Sequence, residues 1–178
     1  MELFVLETER LRLRPLTLDD VEQLHQLFDI DPDVWKFDPG YERSFDERIK
    51  LIERRIQQYQ TYGFGCFGIE RKPDFKLIGQ GGLSPHQFEN NDNSITDEFE
   101  VMYTLGKVYW GYGYATEASQ AWLKHAFEVV KLERLVVCPH KANVASVRVL
   151  EKLGFRFEDD PLELECVLAF LENPKAAV

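Results

Sequence analysis

The chain has 178 residues, of which 44% are hydrophobic and 29% charged, and a net charge of −10. Those values describe enough chain and enough apolar content for one packed domain, residues 1–178, and exclude a disordered polymer. The acidic balance argues against binding nucleic acid through a broad basic surface, and no apolar run reaches the ~20 residues that cross a bilayer.

The first residues, "MELFVLETERLRLR", lack a basic segment followed by an apolar core, and this predicts a cytoplasmic protein. "RLRLRPL" (10–16) alternates apolar and charged residues at the period of a half-buried strand. "TLDDVEQLHQLF" opens on a capping-type threonine and repeats Leu18, Val21, Leu24 and Phe28 at helical spacing. A loop with two prolines and a glycine, "DPDVWKFDPG", follows. Ser44 and Glu47 then stand at capping-box spacing before a helix whose Ile49, Ile52 and Ile56 share a face. Strands are predicted at 64–70, 76–83 and 97–105, with "SPHQFENNDNSIT" as a long polar loop before the third. A helix over 114–130 leads to a buried strand at 134–138. "NVASVRVLEKLGF" reads as a helix stopped by Gly154. Two last strands, 155–158 and 163–170, are joined by a turn at "EDDP".

This order predicts an α/β fold, a mixed and mostly antiparallel seven-stranded sheet with helices on both faces. The helix over 114–130 is its crossover and makes the fourth and fifth strands parallel. Cys66, Cys138 and Cys166 sit in apolar runs, an odd number without metal-ligand or disulfide spacing, and read as core thiols.

"YWGYGYATEA" (109–118) places Gly111 and Gly113 directly before a helix. One reading is a tight strand-to-helix connection. The other is an anion cradle: the first amides of a helix lack intrahelical partners, the helix dipole adds positive potential, and glycine lets an anion approach. The stretch is neither a P-loop nor a G-x-G-x-x-G fingerprint, so the glycines alone leave both readings open.

"EVMYTLGKVYWGYGYATEA", followed by "NVASVRVLEKLGF", resembles the GNAT acetyltransferase superfamily. Together with "ETERLRLRPLTLDD" and "IGQGGL", it looks closest to the branch of N-terminal acetyltransferases of ribosomal proteins, the RimJ/RimL type. The likeness runs over residues 7–170. Its signature falls on Trp110, Gly111, Tyr112, Gly113, Tyr114 and Ala115, with Trp110 where many members carry Gln or Arg. The resemblance implies that amides from Gly111 to Thr116 bind the pyrophosphate of acetyl-CoA. It further implies that the pantetheine arm bonds to backbone at Tyr103, Thr104 and Leu105, and that Asn143 and Ser146 form a second cofactor region. Helix capping is the alternative role for Asn143.

The implied reaction is direct attack of a neutral amine on the acetyl thioester, with no metal. Glu98 and Glu100 share a face of the predicted fourth strand, and the family often draws its base from there; Glu100 is the first choice and Glu98 the second. A backbone N–H near Met102 or Tyr103 would polarise the carbonyl. Many members carry a tyrosine acid where this chain has Leu150, which leaves Ser146, Tyr112, water or unassisted thiolate departure. Trp35, Phe37 and Phe64 are candidates for the acceptor wall. The expected acceptor is a primary amine, first a protein N-terminal α-amine. A small amine (polyamine, amino acid or aminoglycoside) is the second choice, and a non-catalytic acyl-CoA-binding module the third. The fold often forms homodimers, though no exposed stripe here indicates one.

Overall fold

The computed structural model describes residues 4–89, 94–159 and 164–175. The chain clusters into two compact units, Met1–Gly82 with Met102–Ala121, and Leu83–Val101 with Trp122–Val178.

In the first unit, β1 (Leu6–Glu7) pairs antiparallel with β2 (Leu11–Pro15), and β2 with β3 (Cys66–Arg71). Leu11 and Leu13 are fully buried while Arg12 and Arg14 are not, the alternation that the sequence predicts. Arg14 reaches Asp20 at 2.7 Å and Glu70 at 2.6 Å, and so ties β2 to the following turn and to β3. The first helical segment is α1 (Val21–Leu24), entered by a 3-10 turn at Leu18–Asp20 and continued by a π turn at His25–Asp29.

The expected proline loop contains a short helix, α2 (Pro32–Trp35), whose N-cap Asp31 accepts from the Asp33 amide. Helix α3 (Phe45–Tyr62) starts with the expected capping box: Ser44 N–H donates to Glu47 at 2.8 Å, and Glu47 N–H donates to Ser44 Oγ at 3.3 Å. Its buried face carries Arg48, Leu51 and Ile52, with Ile49 and Ile56 packed at the margin. That face is rotated from the expected isoleucine stripe because Arg48 is fully buried against Asp29, itself fully buried. Arg48 Nε donates to Asp29 Oδ2 at 2.7 Å, and Nη2 donates to Oδ1. His25 Nδ1 lies 3.0 Å from the same Oδ2. Leu16, Val21, Leu24, Phe28, Ile52, Cys66 and Leu77 form the apolar core around this polar chain.

Strands β4 (Lys76–Glu89) and β5 (Ile95–Leu105) complete the sheet order β1-β2-β3-β4-β5. The expected long polar loop is mostly strand. Its residues 85–87 are exposed, so their side chains give no buried alternation from which a strand can be read. The tip, 90–93, lies outside the described residues.

Helix α4 (Tyr114–His125) begins in the first unit and ends in the second, where it becomes a π turn at Ala126–Val130. The second unit then holds β6 (Arg134–Val137), α5 (Val144–Lys152), β7 (Arg156–Asp159) and β8 (Val167–Glu172). Its three strands form an antiparallel sheet in the order β6-β8-β7. Leu135, Val136, Leu150, Phe155, Leu168 and Ala169 are buried there.

The mixed α/β class stands, with two corrections of detail. Eight strands are described, the extra one being the two-residue β1, too short to show a period. The strands expected to run parallel, β5 and β6, belong to different sheets, and every described ladder is antiparallel. The last strand starts at Val167, and Asp160 and Pro161 of the expected "EDDP" turn lie outside the described residues.

Candidate functional site

Between β5 and α4 the chain makes a 3-10 turn at Lys107–Tyr109 and then the glycine turn. Gly111 and Gly113 have φ of +82° and +81°. Other residues adopt that region at a cost, so the conformation itself calls for glycine. Space does not: a Cβ on Gly111 would meet nothing within 4 Å, and one on Gly113 would lie 3.5 Å from Arg10 Nη2. The first α4 bond runs from Glu117 N–H to Gly113 O at 3.0 Å. The amides of Tyr114, Ala115 and Thr116 therefore precede the hydrogen-bonded ladder, as helix-opening amides do.

The start of the chain braces this turn. Arg10 donates to Tyr112 O at 2.9 Å and to Glu117 Oε2 at 2.6 Å, and its guanidinium lies 4.7 Å from the Tyr114 ring centre. Glu117 Oε1 also accepts from Thr8 Oγ1 at 2.6 Å and from the Arg10 amide at 2.8 Å. Partial burial pushes the Glu117 carboxyl up, but these hydrogen bonds from Thr8 and Arg10 outweigh it and hold the group below the ordinary glutamate range. Arg71 is held above its ordinary range chiefly by its hydrogen bonds to Asp74, and its guanidinium lies 5.8 Å from the Tyr109 ring centre. The Tyr112 and Tyr114 rings stack with centres 5.8 Å apart. Sequence reasoning finds the turn but misses Arg10 and Glu117, because a charged residue beside a strand or in the first turn of a helix looks the same whether it faces water or grips a turn.

The end of β5 joins the same constellation. Trp110 Nε1 donates to Leu105 O at 2.8 Å. Gly106 N–H donates to Ile78 O at 3.1 Å, and a Cβ on Gly79 or Gly81 would approach Leu105 Cα or Tyr103 Cα. Alternation from that register turns the peptide groups of Met102 and Thr104 toward β4, and those of Tyr103 and Leu105 away from it. Of the three expected backbone positions, Tyr103 and Leu105 have the orientation to pair with an extended arm.

The remaining expected residues belong to the second unit. Glu98 is buried, and its two oxygens lie 3.1 and 3.2 Å from Arg134 Nε. Arg134 is held above its ordinary range by this hydrogen bonding to Glu98. Glu100, two residues on, is partly buried. Asn143 caps α5, its Oδ1 accepting from Ser146 N–H at 3.2 Å, so the capping alternative is realised. Leu150 is fully buried in the core.

His86 is exposed on β4, His140 Nε2 lies 3.5 Å from Glu165, and His25 belongs to the Asp29 chain. Among the described residues no group of His, Cys, Asp and Glu is placed to hold a metal ion, and no helix is long and apolar enough to cross a membrane.

The family described as Acetyltransferase (GNAT) domain matches residues 10–156. The chain is 30% identical over 152 residues to the uncharacterized protein YkkB of Bacillus subtilis, covering 85% of each. It is also 30% identical over 153 residues to the FsC-acetyl coenzyme A-N(2)-transacetylase of Aspergillus fumigatus, covering 84% of this chain and 63% of that protein. Among solved structures, RimL ribosomal L7/L12 alpha-N-protein acetyltransferase in complex with coenzyme A matches with a TM-score of 0.72 at 21% identity, covering 95% of this chain and 97% of that one. At that identity the last likeness speaks for the fold.

Proposed function

Because the chain belongs to the GNAT acetyltransferase family, and is thus an N-acetyltransferase using acetyl-CoA on an amine, we propose that its acceptor is the α-amine of a protein N-terminus. The carrying observation is the braced turn: two glycines at positive φ open α4 beside the end of β5, where a diphosphate can meet successive amides. Acetyl-CoA supplies an acetyl group already activated as a thioester. The residues present suit it, since the amides of Gly111 to Thr116 are the donors for its pyrophosphate, and Tyr103 and Leu105 offer peptide groups to its pantetheine arm. One domain, residues 1–178, carries the activity in the cytoplasm.

Within this reading the protein has little proton chemistry to do. An α-amine titrates at about 7.7–8.0, against about 10.4 for lysine, and is partly neutral near pH 7. Glu100 takes the amine proton. Glu98 is the weaker candidate because both its oxygens face the Arg134 guanidinium. The N–H of Tyr103, turned away from β4, is better aimed than that of Met102 to polarise the carbonyl. Leu150 offers no proton from its core position. The thiolate then leaves unassisted, its pKa of about 8.5 allowing this, or takes a proton from Ser146 or water. Asn143 and Ser146 fix the start of α5 and serve the second cofactor region.

Support for the α-amine comes from the likeness of "ETERLRLRPLTLDD" and "IGQGGL" to the N-terminal acetyltransferases of ribosomal proteins, with which the fold shared with RimL, described as an alpha-N-protein acetyltransferase, agrees. A small amine is the second reading, favoured by the Aspergillus relative, whose name specifies transfer at an N(2) position. Coenzyme A release should be followed with a panel of peptides, polyamines, amino acids and aminoglycosides. Turnover of peptides with free N-termini and not of the same peptides N-blocked supports the proposal. Turnover confined to small amines overturns it.

A further inference from the structure

A small recess in the first unit, a cavity of about 20 Å³ that admits one small polar group, lies between α2, α3 and one face of the sheet. Its lining includes Arg43, Arg48 and Arg55 against a single carboxylate, Asp38, which lies 3.9 Å from Arg43. With Asp29 paired to Arg48, the three guanidiniums meet two carboxylates and leave a small excess of positive charge in a chain whose net charge is −10. Asp29 takes the Nε and Nη2 of Arg48, and Arg48 Nη1 is buried with no hydrogen-bond partner. Arg48 is 0% exposed. Trp35 Nε1 and Gln80 Oε1 line the same recess and are likewise buried without a partner. Gln80 is 4% exposed, and its amide can present either its oxygen or its nitrogen. Buried polar atoms are normally satisfied, and three unsatisfied ones on residues that line one recess mark a place where a polar guest completes the set.

We infer that the recess receives a carboxylate carried by the acceptor, close to the amine that is acetylated; this rests on the acetyltransferase reading above and narrows its substrate class. A carboxylate presents two acceptor oxygens in a plane, which suits the second edge of a guanidinium already held by its first. The indole N–H and the Gln80 amide supply further donors. The floor of the recess includes Met102 and Thr104, the residues on either side of Tyr103. A group seated there lies beside the stretch of β5 assigned to the donor arm. The carboxylate has two sources: an acidic side chain in the first residues of a peptide, or the carboxyl group of a small amino compound.

Two measurements test this. Initial rates are compared within pairs that differ only in charge: peptides beginning with Asp or Glu against Asn or Gln, and amino acids against their amides. Binding of the N-acetylated products, carboxylate against amide, is measured by calorimetry and needs no turnover. The carboxylate member should lead by at least about tenfold in one arm, which identifies the source, and its acetylated product should bind correspondingly tighter. Trp35→Phe keeps a ring and removes one donor; it should cut the preference several-fold with the KM for acetyl-CoA unchanged. Gln80→Met provides a second variant that leaves the Arg48–Asp29 pair intact. Charge-blind turnover together with charge-blind product binding overturns the inference and leaves the recess a place for water. Carboxylate-selective product binding without turnover of any amine upholds it and counts against the proposed acceptor.

Discussion

Gly111 offers a clean separation of conformation from space. Its φ of +82° is left-handed, and a Cβ there would meet nothing within 4 Å. Substitution therefore adds strain without a clash. Holding alanine in that region costs about 1–2 kcal/mol, and the lost freedom of the unfolded chain returns about 0.4–1 kcal/mol. If the turn keeps its shape, the net loss of about 0.5–1.5 kcal/mol lowers Tm by roughly 1–6 °C for a chain of this size. If the turn relaxes instead, the amides of Tyr114 to Thr116 keep their helix but lose the bend before them. Re-forming that bend then weakens coenzyme A by up to the strain, about 5–30-fold in Kd. Calorimetric titration of coenzyme A and thermal unfolding, run on Gly111→Asn, Gly111→Ala and Gly111→Val, separate the two routes. Asparagine tolerates the left-handed region and should be mildest, and the β-branched valine should be worst. Asparagine proving as damaging as valine, or alanine changing neither Tm nor Kd, would refute the conformational argument.

Asp29→Asn leaves Arg48 buried without its counter-charge, both groups being fully buried. The expected loss is about 3–5 kcal/mol, a Tm decrease of roughly 6–20 °C by differential scanning calorimetry. Glu117 is held below the ordinary glutamate range, so it contributes stability above that range and loses it as pH falls through the depressed folded value. The stability gap between wild type and Glu117→Gln, from urea midpoints, should be widest near pH 7 and close in the acid range. His125 is pushed below its ordinary range by burial, so its neutral form favours folding. Acidification from pH 7 toward 5 should destabilise wild type more than His125→Gln. Glu100→Gln should lower kcat by no more than about 10², the low end for a general base because the α-amine is already partly neutral, with the KM for acetyl-CoA unchanged, whereas Glu98→Gln should act mainly on Tm by releasing Arg134.

Local features of this fold were legible wherever one residue's demand is met by near neighbours. The capping box at Ser44 and Glu47, the alternation of Leu11 and Leu13, and the glycine turn each depend on partners within a few positions. Strands β4 and β5 are legible over 76–83 and 97–105 but not in their outer ends, where exposed polar side chains carry no apolar period. Division of the strands into two sheets was missed for a related reason. Short strands such as β6 and β7 are apolar or mixed runs whichever sheet they join, and only the ladders decide.

The site divides along the same line. Its backbone part, the turn and the end of β5, is written in glycines and in strand spacing, and reads from the chain. Its side-chain part is assembled from distant residues: Arg10 meets Glu117 across 107 positions, and Arg48 meets Asp29 across 19. On the α3 sequence, Arg48 looks no different from Arg54, one more cation on an amphipathic helix. What distinguishes Arg48 is that Asp29 pairs with one edge of its guanidinium, which makes complete burial tolerable, while Nη1 is left without a hydrogen-bond partner in a residue that lines the recess. An arginine buried purely for packing would be more stable replaced by a hydrophobic residue of its size. Arg48→Met combined with Asp29→Leu tests that point. If the double variant is at least as stable as wild type yet loses discrimination between carboxylate and amide acceptors, the pair is retained for recognition. If it keeps that discrimination, the ion pair belongs to the core alone.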